Sequence, residues 1–279
     1  MTSAIPELVR PLPAPTPARL APVRTLARRR FSLSARTPRE LVVPLLTPIL
    51  FALVIAPSLK TALHTSAAYE AFVATGTIGL LIPLNTMFAG IGVLVDREAG
   101  AQRELLTAPI PRSTLVLANL VVAFAITALQ VGVLLLVASA RGIQFQLTAH
   151  GLLWFLAAGA LFTAGMYGAA EVLAARSPST EEYIGRVPAI AIVPWFLAGS
   201  LFPISALPVF LAWLARFLPL THALALVRYG LLADPRGLHD IWGMQSTSAM
   251  AGLSLAVVAA FALALTTLAI RVFGRRAVA

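Results

Sequence analysis

Glu70-AFVATGTIGLLIPLNTMFAGIGVLV-Asp96 is a run of 25 residues without a formal charge between two acids. As an α-helix at about 1.5 Å per residue it is ~37 Å long, enough to cross a hydrocarbon core of ~30 Å. It shows no period-two alternation, so it does not read as a barrel strand. In lipid a helix satisfies every backbone N–H and C=O within the segment, and an uninterrupted apolar run of this length has no other way to do so.

The same pattern extends in both directions. Uncharged windows of 19 residues (Glu40 to Lys60), 28 (Arg112 to Arg141), 29 (Arg141 to Glu171), 29 (Arg186 to Arg216) and 30 (Asp240 to Arg271) follow one another along the chain. They predict an all-α membrane protein with six transmembrane helices at about 41–58, 71–95, 115–138, 151–174, 187–204 and 249–271. Composition agrees: 59% of the 279 residues are hydrophobic and 11% charged, with a mean hydropathy of +0.87, whereas a soluble domain carries about a quarter charged residues. The net charge of +10 would suggest nucleic acid in a soluble chain. Here the basic residues flank apolar runs, so they report orientation and no nucleic-acid partner is expected. Placing the N-terminus inside puts 16 of the 21 basic residues on the inner side, which predicts cytoplasmic N- and C-termini. Trp154, Trp213 and Trp242 then fall near the outer interface, and Trp195 does not. The absence of cysteine excludes a disulfide framework, thiolate metal sites and a cysteine nucleophile.

Residues 1–22 hold six prolines and read as a disordered cytoplasmic tail, too long and too charged for a signal peptide. Residues 23–40, with Val23, Leu26, Arg28, Arg29, Arg30, Phe31 and Leu33, read either as an amphipathic interfacial helix on an anionic inner leaflet or as a plain positive-inside signal. Residues 41–276 read as the six-helix transmembrane domain. Pro44 and Pro48 predict a kink in the first helix. Gly76, Gly79, Gly90 and Gly92 in the second permit close helix approach, in a dimer or in ordinary packing.

Two further stretches carry the functional information. The first, 96–112, reads Asp96-Arg97-Glu98-Ala99-Gly100-Ala101-Gln102-Arg103-Glu104-Leu105-Leu106-Thr107-Ala108-Pro109-Ile110-Pro111-Arg112 and is closed by two prolines. By itself it could be a solvated hairpin. The second, 204–233, follows Pro203 and holds Pro208, Trp213, Arg216, Pro219 and Thr221. Its apolar run from Leu207 to Leu218 is too short to span and reads as an outer re-entrant or interfacial element. Four histidines lack metal-ligand spacing and are expected at the outer surface or interface.

The first stretch resembles the Asp-Arg-Glu-x-Gly … Leu-Leu-x-x-Pro-x-x-Arg signature of ABC transporter type-2 permeases, the daunorubicin-resistance and nodulation-factor exporters. Asp96, Arg97, Glu98, Gly100, Leu105, Leu106, Pro109 and Arg112 match, and Ala101-Gln102-Arg103 departs from the usual Thr-Leu-Glu. The second resembles that family's Gly-x-x-Phe-Pro … Leu-Pro … Asn-Pro-Leu-Thr … Arg region, with Gly199, Pro203, Pro208, Pro219, Thr221 and Arg228 matching and Leu218 in place of asparagine. The likeness covers about residues 24 to 276. It implies a permease subunit of the bacterial cytoplasmic membrane that exports a hydrophobic or amphipathic compound, a drug, lipid or lipo-oligosaccharide.

The resemblance also implies partners. The lone lysine, Lys60, follows Leu59, so no Walker A loop is present. ATP and Mg are expected on a separate ATPase subunit, a second permease subunit is expected to complete the pathway, and this chain is expected to bind no cofactor or metal and to hold no catalytic residue. The 96–112 stretch would then be the coupling segment, with Glu98 pairing with a basic group of the ATPase and the leucines giving apolar contact. Asn85, Thr86, Gln130 and Trp195 either line a substrate path or pack between helices. Glu171 is expected to pair with Arg176 or snorkel to the inner interface. The alternative class, an ion- or proton-coupled secondary transporter, would need a buried carboxylate pathway and internal repeats, and Glu171 is the one acid inside a predicted span.

Overall fold

The computed structural model describes residues 21–35, 45–100 and 112–276, and every regular element among them is helical. In chain order these are α1 (Ala21–Ala35), α2 (Leu45–Ala62), α3 (Ala67–Glu98), α4 (Arg112–Ala140), α5 (Ala149–Arg176), α6 (Thr180–Leu197), α7 (Val209–Ala215), α8 (Pro219–Leu232), α9 (Arg236–Trp242) and α10 (Thr247–Arg276). Residues 1–20 of the expected tail, and Leu105, Leu106 and Pro109 of the coupling segment, lie outside the described residues.

Among the described residues five helices, α2, α3, α4, α5 and α10, are long and apolar enough to cross a membrane. A sixth is reached if α7 and α8, bent by 79°, count as one span. The helix expected at 187–204 is instead α6 at 180–197. It begins earlier because its acids suit its first turn: Glu181 and Glu182 sit at the positive end of the helix dipole, and the Ser179 side chain accepts from the Glu182 N–H. It ends earlier because Gly199 takes a left-handed φ of +80°, the conformation that ends a helix and that glycine adopts without penalty.

Helix α3 is the centre of the bundle. Of its apolar span 61% is buried, against 17% for α2 and 22% for α10, and it packs on α4, α5, α6 and α8. Lipid tails are as apolar as leucine, so helices associate here through close packing. A Cβ on Gly76 would overlap the Ser200 carbonyl of the segment leaving α6, one on Gly90 would overlap the Tyr183 hydroxyl of α6, and one on Gly79 would press on Leu224 of α8. Those three glycines therefore serve packing within the chain. In α2 the backbone widens into a π-turn at Phe51–Ile55, between Pro48 and Pro57, whose missing N–H groups disturb the regular i→i−4 pattern.

Two buried polar groups differ from expectation. His222, expected at the surface or interface, is 2% exposed, with Nδ1 3.2 Å from Ser254 Oγ and Nε2 2.9 Å from the Arg216 carbonyl. Polar partners on α10 and at the α7–α8 corner let the imidazole sit between helices. Glu171 is buried and accepts a hydrogen bond from Tyr167 one turn earlier, while Arg176 is exposed. The tyrosine hydroxyl supplies the partner that snorkelling would otherwise have to find.

At the other end of the bundle Glu70, in the first turn of α3, is 5% exposed and lies 3.2 Å from Lys60 at the end of α2 and 3.6 Å from Arg141 just past α4. One carboxylate thus ties three helix ends. Glu70→Gln keeps the shape and removes the charge, and because both cations are partly exposed the expected loss is about 1 kcal/mol. Thermal unfolding in detergent checks this, and an unchanged midpoint would mean the three ends are held by packing alone.

Candidate functional site

The two matched stretches come together at the two ends of α6. At its N-terminal end lies the junction Ser177-Pro178-Ser179, which joins α5 to α6. A helix leaves its last four carbonyls and first four N–H groups without partners of its own, and the end of α3 supplies them. Arg97 donates from Nη1 to the Ala174 carbonyl at 3.2 Å, and from Nη2 to the Ser177 and Pro178 carbonyls at 2.8 and 3.3 Å. A cation here also meets the negative end of the α5 dipole.

Glu98 acts on the opposite partner. Its Oε1 accepts from the Thr180 backbone N–H at 3.3 Å and from Thr180 Oγ1 at 3.0 Å, an anion at the positive end of α6. Consecutive residues of opposite charge therefore cap consecutive helices of opposite polarity. The carboxylate expected to face a partner subunit is engaged within the chain. Gly100 follows with φ +75°, where the chain leaves α3 toward the undescribed part of the segment.

Between its ends α6 is held to α3 by two ring groups. Tyr183 donates to the Met87 carbonyl at 2.7 Å and Trp195 Nε1 to the Gly76 carbonyl at 2.8 Å. At the C-terminal end Arg228 of α8 repeats the capping chemistry. It is 4% exposed and donates from Nη1 to the Gly199 carbonyl at 2.8 Å, and from Nη2 to the carbonyls of Ser200 at 3.0 Å and Phe72 at 3.2 Å. Its guanidinium also lies 3.4 Å over the Phe72 ring, a cation–π contact. A cation is costly to bury without partners, and this one is held by the carbonyls of Gly199 and Ser200, just past the end of α6.

Beside Arg228 opens a cavity of about 410 Å³, lined in part by Tyr69, Phe72, Gly199, Pro203, Thr221 and Arg228. Of the six matched residues of the second stretch, four line it. Pro208 and Pro219 instead start the short helices, Pro208 as the cap of α7 and Pro219 in the first turn of α8, where a missing N–H costs nothing. Thr221 Oγ1 donates to the Ala215 carbonyl at 2.7 Å and fixes the bend between them. At the rim Arg236 grips Asp234 with Nε and Nη2, both at 2.8 Å. Partial burial raises the Asp234 carboxyl, but the hydrogen bonds and charge of Arg236 outweigh it and hold the group below the usual aspartate range.

The four path residues divide. Trp195 is spent on Gly76, and Thr86 donates back to the Ile82 and Pro83 carbonyls of its own helix, both at 2.9 Å. Asn85 is buried with Nδ2 unbonded, and Gln130 is buried at 2% exposure. Sequence reading missed Thr180, Ser177 and Tyr183. A signal for Thr180 was present, since Ser179-Thr180-Glu181-Glu182 has the Ser-x-x-Glu form of a capping box.

A family model described as ABC-2 type transporter matches residues 22–232. The chain is also 24% identical over 214 residues, 74% of its length and 72% of the relative's, to a protein of Porphyra purpurea named "Putative transport permease ycf38".

Proposed function

The chain belongs to the ABC-2 type transporter family, and on that premise we propose that it is the permease subunit of an ATP-driven exporter of hydrophobic or amphipathic compounds, hydrolysing no ATP itself. ATP and Mg belong to a separate ATPase subunit, which engages the 96–112 segment. A second permease subunit completes the pathway. Both termini face the cytoplasm of a bacterial cell, α1 lies in the inner leaflet, and α7 with α8 forms the re-entrant outer element.

The observation that carries this reading is the pair of caps at the inner end of α3. Residues that begin the coupling segment hold the end of α5 through Arg97 and the start of α6 through Glu98. A displacement of the segment is thereby delivered to α6, whose other end is held by Arg228 beside the outer cavity. Force applied at the 96–112 segment thus reaches the far end of α6, beside Arg228, along one packed helix, as an alternating-access cycle requires. Asn85, buried with its Nδ2 unbonded, and the buried Gln130 are the remaining candidates for cargo contact.

The test separates assembly from transmission. Co-expressed with its ATPase, the chain should co-purify with it and move a fluorescent amphiphilic dye into everted vesicles on addition of ATP. Glu98→Gln weakens one cap, and Glu98→Gln with Thr180→Val removes both side-chain partners. The double variant should retain the ATPase and lose about tenfold in dye transport, the equivalent of ~1.4 kcal/mol in coupling. Failure of the unaltered chain to retain any ATPase would overturn the permease reading. Normal transport by the double variant would overturn only the role of the cap.

A further inference from the structure

Helix α1 leans on α4 and leaves a groove of about 710 Å³ between them, whose walls include Arg24, Arg28 and Phe31 from α1 and Val121, Val122 and Ala125 from α4. Arg24 and Arg28 are four residues apart, so their side chains stand over the same face of the helix. Both are exposed, and among the described residues no carboxylate lies within salt-bridge distance of either. No acid occurs in the first turn of α1 to balance them. The opposite wall is wholly aliphatic. Two cations above an apolar slot make a surface of mixed character, complementary to one kind of small molecule.

Depth supports the same conclusion. The 29 residues of α4 make a helix ~43 Å long, ~13 Å more than the hydrocarbon core, so ~6 Å projects at each face. Val121 lies nine residues beyond Arg112, ~13 Å along the axis, which places the groove ~7 Å below the hydrocarbon boundary. An amphipathic helix settles ~5–10 Å into the boundary, so α1 and the groove sit at compatible depths. Arginine stems reach back toward the phosphates from there.

We propose that this groove is a binding site for an anionic phospholipid, its phosphate bridged by Arg24 and Arg28 and an acyl chain laid along Val121, Val122 and Ala125. The site rests on the proposed inward orientation of the Arg112 end, which is read separately by reporter fusions. It does not depend on an ATPase, so its failure and that of the permease reading are distinguishable. Because, among the described residues, α1 is joined to the bundle through α4 alone in any substantial contact, the lipid would act as a third wall of that joint.

The experiment uses the purified full-length chain in nanodiscs of equal phosphatidylglycerol and phosphatidylcholine, released into mild detergent and weighed by native mass spectrometry. The unaltered chain should retain phosphatidylglycerol over phosphatidylcholine by about tenfold, from two cations near an anionic group. Arg24→Gln with Arg28→Gln should bring that ratio close to unity. Val121→Trp with Ala125→Trp, which fills the slot, should lower retention of both lipids, with circular dichroism reporting an intact helical fold; if that variant does not fold, the glutamine pair decides. Excess inorganic phosphate should leave the retained lipid in place. Equal retention of the two lipids by the unaltered chain, an undiminished ratio in the glutamine pair, or displacement of the lipid by phosphate alone would overturn the site.

Discussion

Arg228→Ala should be the most damaging single substitution in the half of the molecule remote from the 96–112 segment. It strands the carbonyls of Gly199 and Ser200, takes one bond from that of Phe72, which still accepts from Thr75 Oγ1, and uncovers the Phe72 ring. Hydrogen bonds from a charged donor contribute about 1.5–3 kcal/mol each. Part of that gain offsets the cost of burying the cation, so the net loss expected on its removal is about 3–5 kcal/mol. The C-terminal end of α6 would lose its anchor to α3 and α8. Thermal unfolding should shift well below that of the unaltered chain, dye transport should fall by at least an order of magnitude, and the ATPase should still co-purify, because the coupling segment is at the far end of α6. Arg228→Lys should recover part of the stability: one ammonium meets one or two of the carbonyls but cannot fork across three. Unchanged stability and transport in the alanine variant would show that the carbonyls find other partners. Loss of the ATPase would contradict the assignment of this residue to the outer end.

The largest effect on assembly should come from Leu105→Asp with Leu106→Asp. If the segment docks as a short helix in a groove of the ATPase, two buried leucines contribute a few kcal/mol, at roughly 25 cal/mol per Å² of apolar area and before association costs are subtracted. Two carboxylates in the same place would add desolvation and repulsion. Co-purification of the ATPase and ATP-dependent transport should both disappear while the permease still inserts and runs at its usual size. The contrast with Glu98→Gln plus Thr180→Val, which should keep the ATPase and lose transport, separates holding the motor from obeying it. A double leucine variant with normal ATPase recovery and transport would remove the coupling-segment assignment.

Charge spacing was enough to read the approximate positions of five long helices, because a helix that crosses lipid cannot scatter charges through its middle, but the span expected at 187–204 is not among the helices long and apolar enough to cross. The same rule misplaced α6, whose opening acids were taken to lie outside it. They are favoured in its first turn, and hydropathy does not register a dipole. Arg228 was legible in the sequence as a match in the second stretch, yet its acceptors could not be read there. Backbone carbonyls have no residue signature, and Gly199 is 29 positions away. Glu98 and Thr180 are 82 positions apart. Each carried a legible local meaning, a motif end and a capping box, but only the packing of α3 on α5 and α6 joins them.

The π-turn in α2 has a bearing on how this chain tolerates changes of length. A π-turn holds one residue more than the α-turn it replaces, so Phe51–Ile55 is a place where the chain can lose a residue and remain helical. Such a deletion would keep the parts before and after the turn in phase. Each residue of an α-helix accounts for ~100° of rotation, so the same residues wound as a plain α-helix, with none removed, would carry everything beyond the turn round by about that angle relative to the part before it. Lys60 would leave the side on which it meets Glu70, and the end of α2 would lose its tether to α3. The surplus residue thus works as a fixed phase offset, setting the rotational register of a helix whose own surface, 17% buried, has little grip on its neighbours.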